Sequence, residues 1–520
     1  MLTLQHNVFR WHGPFSARSY PERAGFSWSE SAKCWYTPVP YIAYLLNDKM
    51  DAAATARLAP VHQNVMASMA KEPMLEIAAP EGQAYYPFQA AGIEHMTDQL
   101  RRGRKAVLCA DEQGLGKTCQ AIGVANELGL KKILVVCPAT LRLNWARELE
   151  NWHLFNKGVD PVLSGSQKVS RKGSIVTSYH LAEHVKDYQP DLVVIDEMHY
   201  LKNAGTIRSQ LMLGDGDGWA GMVGKAPTIL LSGTPIPNGR PSEAWPSVFR
   251  TAPEVIGYMK YWPFLRRFCI MQDQESGDTL IIGAKRTGEL YARLRGSGFM
   301  TRRLKKDVLK DLPPKRYKMV VFTQNAHTSK VIEREQPFSA EEIFKHGVPV
   351  GTALPEIRRE MGIAKIPQSV EYIKDILEGG TQKVVVFAHH LEPVGLLEAA
   401  LAEYKPVVIT GSTPPARRQE YVDRFQNDSS IRVFIGNEAA EEGITLTAAA
   451  DVVMVEPEWV PGKNDQRADR LHRIGQLGSV MAHILVVEGS LDAHILGRAA
   501  KKASDISSTL DINPWKGMIP

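Results

Sequence analysis

Residues 106 to 128 read Ala106-Val-Leu-Cys-Ala-Asp111-Glu-Gln-Gly114-Leu115-Gly116-Lys117-Thr118-Cys-Gln-Ala-Ile-Gly-Val-Ala-Asn-Glu-Leu128: an apolar run, a glycine turn, then a helix-length stretch. Strand, glycine turn and helix are the setting in which successive backbone N–H groups and a helix N-terminus face a phosphate. In that setting Gly114, Leu115 and Gly116 shape the cradle, Lys117 reaches the outer phosphates of a nucleotide, and the Thr118 hydroxyl ligates Mg²⁺. One position departs from the usual Gly-x-x-x-x-Gly-Lys-Thr: its first glycine is Asp111.

Outward from this stretch, short apolar β-rich runs alternate with helix-length segments. They fall at 106–110, 132–137, 174–178, 191–195 and 228–231, lapse for over a hundred residues, and resume at 383–388, 406–410, 431–435, 451–456 and 483–487. Runs such as Leu-Val-Val-Ile and Val-Val-Val-Phe are apolar on both faces, as strands buried between helix layers must be. The expected fold class is α/β: two parallel-sheet lobes joined by a helical, basic region, with a small N-terminal α+β module. In that module Gly25 to Thr37, with Phe26, Trp28, Trp35 and Tyr36, reads as two short strands around a turn. The expected boundaries are 1–80 for the module, 81–250 for lobe one, 251–320 for the inter-lobe region, 321–500 for lobe two and 501–520 for a tail.

Lobe one ends a second buried run with Asp196-Glu197-Met198-His199. Ligand groups sit at such strand ends in α/β sheets, so Asp196 is read as holding Mg²⁺ and Glu197 as orienting and deprotonating an attacking water. His199 reads as a link from the site to the rest of the protein, and Ser232-Gly-Thr234 caps another strand with small hydroxyls within its reach. Upstream, Gln89 carries an amide able both to donate to and accept from an adenine edge. In lobe two, Gln466-Arg-Ala-Asp-Arg470-Leu-His-Arg473-Ile-Gly-Gln476 places two arginines about one turn apart if the segment is helical. A converging guanidinium pair can neutralise charge on a transferring phosphoryl group.

With 44% apolar and 23% charged residues, the 520-residue composition is that of a globular protein of two or three domains. No apolar run reaches the ~20 residues of a membrane span, and the N-terminus lacks a signal peptide's layout, so a cytoplasmic (or, in a eukaryote, nuclear) location is expected. The five cysteines are scattered and never form Cys-x-x-Cys, which indicates neither a disulfide framework nor structural zinc. From Lys285 to Arg316 eleven Lys/Arg face three acids, more net charge than the +5 of the whole chain. Such a stripe suits a polyanion track, and equally a solvated basic helix face.

The ordered set Gln89, Asp111–Thr118, Asp196–His199, Ser232–Thr234 and Gln466–Gln476 resembles helicase superfamily two, and within it the SWI/SNF-type ATPases. Asp-Glu-x-Gly-Leu-Gly-Lys-Thr is that branch's own P-loop form, Arg302-Arg303-Leu-Lys305-Lys306-Asp307-Val308 with Leu312-Pro313-Pro314-Lys315 resembles its inter-lobe signature, and His472–Gln476 its sixth motif. Phe264–Cys269, Ala439-Ala440 with Gly443-Ile444-Thr445, and the aromatic module resemble the annealing-helicase and fork-remodelling branch, with the module similar to a HARP-type domain. The fifth motif is unusually acidic here, at Glu438, Glu441 and Glu442, and Pro237-Asn238 follows the more general form.

The resemblance implies two RecA-like lobes with ATP and Mg²⁺ between them. Lobe one would supply Gln89, Lys117, Thr118, Asp196 and Glu197, and lobe two Arg470 and Arg473. Gln466 joins His199, Ser232 and Thr234 as coupling residues. DNA contacts are implied at Pro138, Ala139, Asn144, Trp145, Thr177, Ser178, Gly411, Ser412 and Thr445, joined by Arg302, Arg303 and Lys305; phosphate contacts of this kind position a protein without reading sequence. The expected function is a DNA-dependent ATPase translocating on duplex or forked DNA. The alternatives are a strand-separating DNA or RNA helicase, or a DNA-binding scaffold with an inactive ATPase fold.

Overall fold

The computed structural model describes residues 1–215, 220–236, 239–273, 279–341, 343, 351–440, 444–459 and 461–496. Pro237-Asn238, Glu441 to Gly443 and the 501–520 tail lie outside them. The chain divides into two compact units, the first holding Met1–Glu112 and Gly116–Val308, the second Gln113–Leu115 and the described residues from Leu309 onward.

The N-terminal sheet opens with a hairpin of β1 (Leu2–Gln5) and β2 (Val8–Trp11). Its two-residue turn, His6-Asn7, has both residues left-handed, at φ 50° and 62°. A tight hairpin needs that backbone, and glycine or asparagine is its usual signal. β3 (Ser27–Ser29) and β4 (Cys34–Thr37) pair antiparallel, and the sheet order is β1-β2-β4-β3. Its core of Leu2, Phe9, Phe26, Leu58 and Val65 also takes in Ala292, from the helix Thr287–Gly296. A Cβ on Gly296 would stand 2.6 Å from Val61 Cγ1, so glycine allows the helix Ala52–Ser68 to approach closely there. Asn64 Nδ2 donates to Gly296 O at 2.9 Å. The expected separate module therefore shares its core with residues of the middle region.

Lobe one is built on β5 (Ala106–Cys109), β6 (Ile133–Cys137), β7 (Val159–Pro161), β8 (Ser174–Ser178), β9 (Leu192–Ile195) and β10 (Thr228–Leu231). After a two-stranded hairpin, β11 (Cys269–Asp273) and β12 (Thr279–Ala284), the chain adds β13 (Met300–Thr301) to the same sheet. The order is β13-β5-β10-β9-β6-β8-β7, and every pair is parallel. Lobe two comprises β14 (Lys315–Phe322), β15 (Val384–Phe387), β16 (Val407–Ile409), β17 (Val433–Gly436), β18 (Asp451–Met454) and β19 (Val480–Val487). Its order is β14-β19-β18-β15-β17-β16, again parallel throughout.

Residues 251–320 hold the helices Tyr261–Phe268 and Thr287–Gly296 and strands as well: β13 completes the first sheet and β14 opens the second. Their charge is divided: Arg293, Arg295, Arg302, Arg303 and Lys305 are buried, whereas Lys285, Arg286, Lys306, Lys310 and Arg316 are exposed. Arg293 and Arg267 both donate to Glu289 Oε1 at 2.8 Å, and Lys315 pairs with Asp465 and Asp469 at 2.9 Å each. Much of the local positive charge thus serves internal pairing, which a count along the chain does not register. All five cysteines are buried and free, and no described helix is long and apolar enough to cross a membrane.

Candidate nucleotide site

Three neighbouring strands of lobe one end together: β5 leads into the glycine loop, β10 into Ser232–Thr234, and β9 into Asp196-Glu197. The loop turns through two left-handed glycines, Gly114 at φ 84° and Gly116 at 75°. Gly116 directly precedes the helix Lys117–Glu127. A Cβ there would fall 2.4 Å from Gln89 Nε2, so both the dihedral and the space demand glycine. Lys117 Nζ donates to the carbonyls of Asp111 (3.0 Å) and Glu112 (3.4 Å), which holds its ammonium over the loop. Thr118, in the first turn, is partly exposed. Gln89 is buried against the loop, and its Oε1 accepts from Tyr86 N at 3.0 Å, capping the helix Pro87–Arg101.

Asp111 corrects the reading of this loop. Its carboxylate is fully buried and accepts from Arg303 N (2.9 Å), Nε (3.0 Å) and Nη2 (2.8 Å) and from Gln120 Nε2 (3.0 Å). The side chain expected on the nucleotide is instead the anchor of β13's continuation. Only its carbonyl faces Lys117. Gly92 makes room for the pair, since a Cβ there would lie 2.3 Å from Arg303 Nη2. Arg302 Nη1 similarly donates to Ala110 O (2.6 Å) and Gly233 O (3.1 Å).

Asp196 is buried at the end of β9. Its Oδ1 accepts from Glu197 N at 2.9 Å and its Oδ2 from Trp145 Nε1 at 2.8 Å. Burial, then the neighbouring Glu197 charge, push its pKa up to about 7. Glu197 sits at φ 53°, a left-handed strain for a residue with a side chain, and its Oε2 lies 3.2 Å from His199 Nδ1. Ser232 is buried and its Oγ accepts from Thr234 N at 3.2 Å. The Thr234 hydroxyl is buried with no hydrogen-bond partner among the described residues.

In lobe two the helix Pro461–Ala468 ends before the arginine pair. The Arg470 carbonyl accepts from Leu446 N at 2.8 Å, outside any helical ladder, so Arg470 and Arg473 stand in a turn and not on one helix face. Arg470 is buried; Arg473 donates to Asp469 O (2.9 Å) and Thr445 Oγ1 (3.1 Å). Gln466 is half-buried in the preceding helix. The sequence reading missed the fully buried Arg467, which bonds Glu456 O and Glu458 Oε1 at 3.0 Å each and fixes this segment.

Of the expected DNA contacts, Ala139, Gly411 and Ser412 are exposed and Asn144 and Thr445 partly so. Pro138, Trp145, Thr177, Ser178, Arg302, Arg303 and Lys305 are buried. For Trp145, Arg302 and Arg303 the polar groups are committed to the interior bonds above, a correction to their assignment as phosphate grips.

The donor set fits a nucleotide and a divalent ion: a glycine cradle that a Cβ would fill, a lysine ammonium on its rim, and the buried Asp196 carboxylate beside the half-buried Glu197. A family model for the SNF2-related domain matches residues 88–345, and one for the helicase conserved C-terminal domain matches 368–475. The "DNA annealing helicase and endonuclease ZRANB3" of Bos taurus is 33% identical over 454 residues, 82% of this chain and 40% of that protein. The Xenopus tropicalis "SWI/SNF-related matrix-associated actin-dependent regulator of chromatin subfamily A-like protein 1" is 31% identical, covering 83% of this chain and 46% of its own. The chain thus spans less than half the length of these relatives. The "Sulfolobus solfataricus SWI2/SNF2 ATPase core in complex with dsDNA" aligns over 86% of this chain and 97% of its own at 22% identity, with a TM-score of 0.39. Carrying the SNF2-related domain and the helicase C-terminal domain in succession, the chain belongs to the SWI/SNF-type branch of helicase superfamily two.

Proposed function

We propose that this chain is a DNA-dependent ATPase that moves on duplex or forked DNA and remodels or reanneals it. The observation that carries the reading is the convergence of the glycine loop, Ser232–Thr234 and Asp196-Glu197 at the ends of three adjacent strands. Lys117 and the loop N–H groups hold the ATP phosphates, with Gln89 at the adenine. Thr118 and Asp196 hold Mg²⁺, which when bound supplies charge neutralisation at the transferring phosphoryl group. Glu197, oriented by His199, accepts a proton from the attacking water. Arg470 and Arg473 neutralise charge that develops on the phosphoryl group.

Support for the DNA substrate comes from the family and from the two similar proteins, one of which is named an annealing helicase. Ala139, Asn144, Gly411 and Ser412 are the retained phosphate contacts, and the HARP-type reading of residues 1–80 assigns that module to DNA geometry. A location with DNA, cytoplasmic or nuclear, follows from the same substrate.

Phosphate release measured with duplex, forked and single-stranded DNA and with RNA tests this. Stimulation by duplex or forked DNA, abolished by Lys117→Ala, is the expected result. Preference for RNA would return the chain to the strand-separating helicases. Arg470→Ala and Arg473→Ala are expected to keep nucleotide and DNA affinity within about threefold while turnover falls on the order of 10³-fold. Turnover intact at saturating ATP would remove these arginines from the mechanism.

A further inference from the structure

Two buried side chains reach Asp196, the residue assigned to the metal: Trp145 bonds its carboxylate and Tyr179 its backbone carbonyl. Trp145 stands on the helix Arg142–Trp152, directly after the partly exposed Asn144, with its ring 1% exposed. An indole N–H only donates, so its 2.8 Å bond to Asp196 Oδ2 requires that oxygen as acceptor. Glu197 N holds Oδ1, and the two bonds on opposite oxygens fix the carboxylate's rotation. Tyr179 directly follows Thr177-Ser178 at the end of β8. Its hydroxyl donates to Asp196 O at 2.6 Å and lies 3.4 Å from Glu197 O. The ring is braced in turn, stacked on Tyr200 with centroids 5.3 Å apart and planes 4° from parallel. The Arg208 guanidinium lies over both rings, at 5.9 and 5.4 Å.

Neither side chain is available to touch DNA; Trp145 is covalently continuous with Asn144, which the proposed function places there, while Tyr179 follows the buried Thr177-Ser178. We propose that Trp145 and Tyr179 are positioning residues: both hold Asp196 in its metal-binding orientation, and Trp145 ties that orientation to segment 138–145, so that DNA engagement there sets the metal carboxylate. The inference rests on the assignment of Asp196 to Mg²⁺. Partners of this kind, which orient a ligand without touching the metal, are worth about 10–100-fold in metal affinity or activity.

The test compares Trp145→Phe, which removes the N–H and keeps an aromatic ring, and Tyr179→Phe, which removes one hydroxyl, with the wild-type chain of the same length. Turnover is titrated with Mg²⁺, with and without duplex DNA, alongside DNA affinity and thermal unfolding. Trp145→Phe is expected to raise the Mg²⁺ concentration for half-maximal turnover about tenfold and to lower the ratio of DNA-stimulated to basal turnover, with DNA affinity within about twofold. Tyr179→Phe shifts both in the same direction by about threefold. Loss of folded protein would reduce turnover but not the Mg²⁺ midpoint, so a packing role alone leaves the midpoint in place. Wild-type midpoints and stimulation ratios in the folded variants would overturn the proposal. If Trp145→Phe does not fold, Tyr179→Phe decides by the same criterion. Asp196→Asn separates the two layers: Mg²⁺-dependent turnover surviving in that variant would sink the metal assignment, whereas turnover lost there and untouched by both aromatic variants sinks only the positioning role.

Discussion

Asp111→Ala is expected to destabilise lobe one by about 3–5 kcal/mol, because it strands the buried Arg303 guanidinium without its anion. Arg303 and Asp111 exchange three hydrogen bonds of 2.8–3.0 Å, and both side chains are essentially inaccessible. Backbone carbonyls of the loop and of the helix Pro87–Arg101 cannot replace the lost charge. The same reasoning applies to Asp111→Gly, which would recreate the more usual P-loop sequence: the added glycine is expected to unfold the site, not improve it. Arg303→Met should recover most of the loss when combined with Asp111→Ala, since an apolar pair of similar volume carries no stranded charge. Urea unfolding of the single and double variants measures this. A single variant that unfolds like the wild type and only loses ATP affinity would restore Asp111 to the nucleotide.

Asp196→Asn is expected to kill turnover and yet stabilise the free protein at pH 8. Losing the carboxylate proposed to hold Mg²⁺ would forfeit several kcal/mol of transition-state stabilisation, on the order of 10³-fold in rate. The stability gain follows from burial. A carboxyl held at about 7, against an ordinary 3.8, resists ionisation in the folded state. Its cost is therefore absent below pH 4, grows as pH rises from 4 to 7, and is complete above 7, where it reaches about 4 kcal/mol. Asparagine escapes that cost but turns one oxygen, now accepting from Trp145 or Glu197, into a donor, a loss of about 1–3 kcal/mol. A net gain of about 1–3 kcal/mol is expected at pH 8 in a chelator, vanishing or reversing near pH 4.5. Denaturant midpoints at the two pH values supply the check. A variant equally stable at both would show that Asp196 carries no buried charge.

What could be read along the chain depended on how local the physics was. All ten strands inferred from apolar runs exist, because parallel strands covered on both faces must be apolar throughout. β13 escaped notice because it has two residues, and β14 because Lys315-Arg-Tyr-Lys-Met alternates charge and apolarity at a sheet edge. The first hairpin hid behind a His-Asn turn without glycine. The strand-end placement of the glycine loop and of the Asp-Glu pair was legible in their own spacing, whereas the partners of Asp111, Arg303 and Trp145 were not. Each of those residues depends on a partner 51 to 192 residues away. The internal pairing of Arg303 and Lys315 escaped a charge count for the same reason, and the helical spacing of Arg470 and Arg473 did not hold because the helix ends at Ala468.

The core that the N-terminal sheet shares with the helix Thr287–Gly296 changes what a deletion means. Removing residues 1–80 strips Val61 and Leu58 from Gly296 and Ala292 and opens a cooperative unit that crosses 200 residues of sequence. Amide exchange along Thr287–Gly296 should accelerate in such a truncation, and β13, which follows it directly, should fray with it. Altered DNA preference in the shortened chain would then report a loosened edge of the ATPase sheet before it reported a missing sensor. Point substitutions on the module's exposed Trp28 and Tyr36 interrogate the sensor while leaving the fold's closure intact.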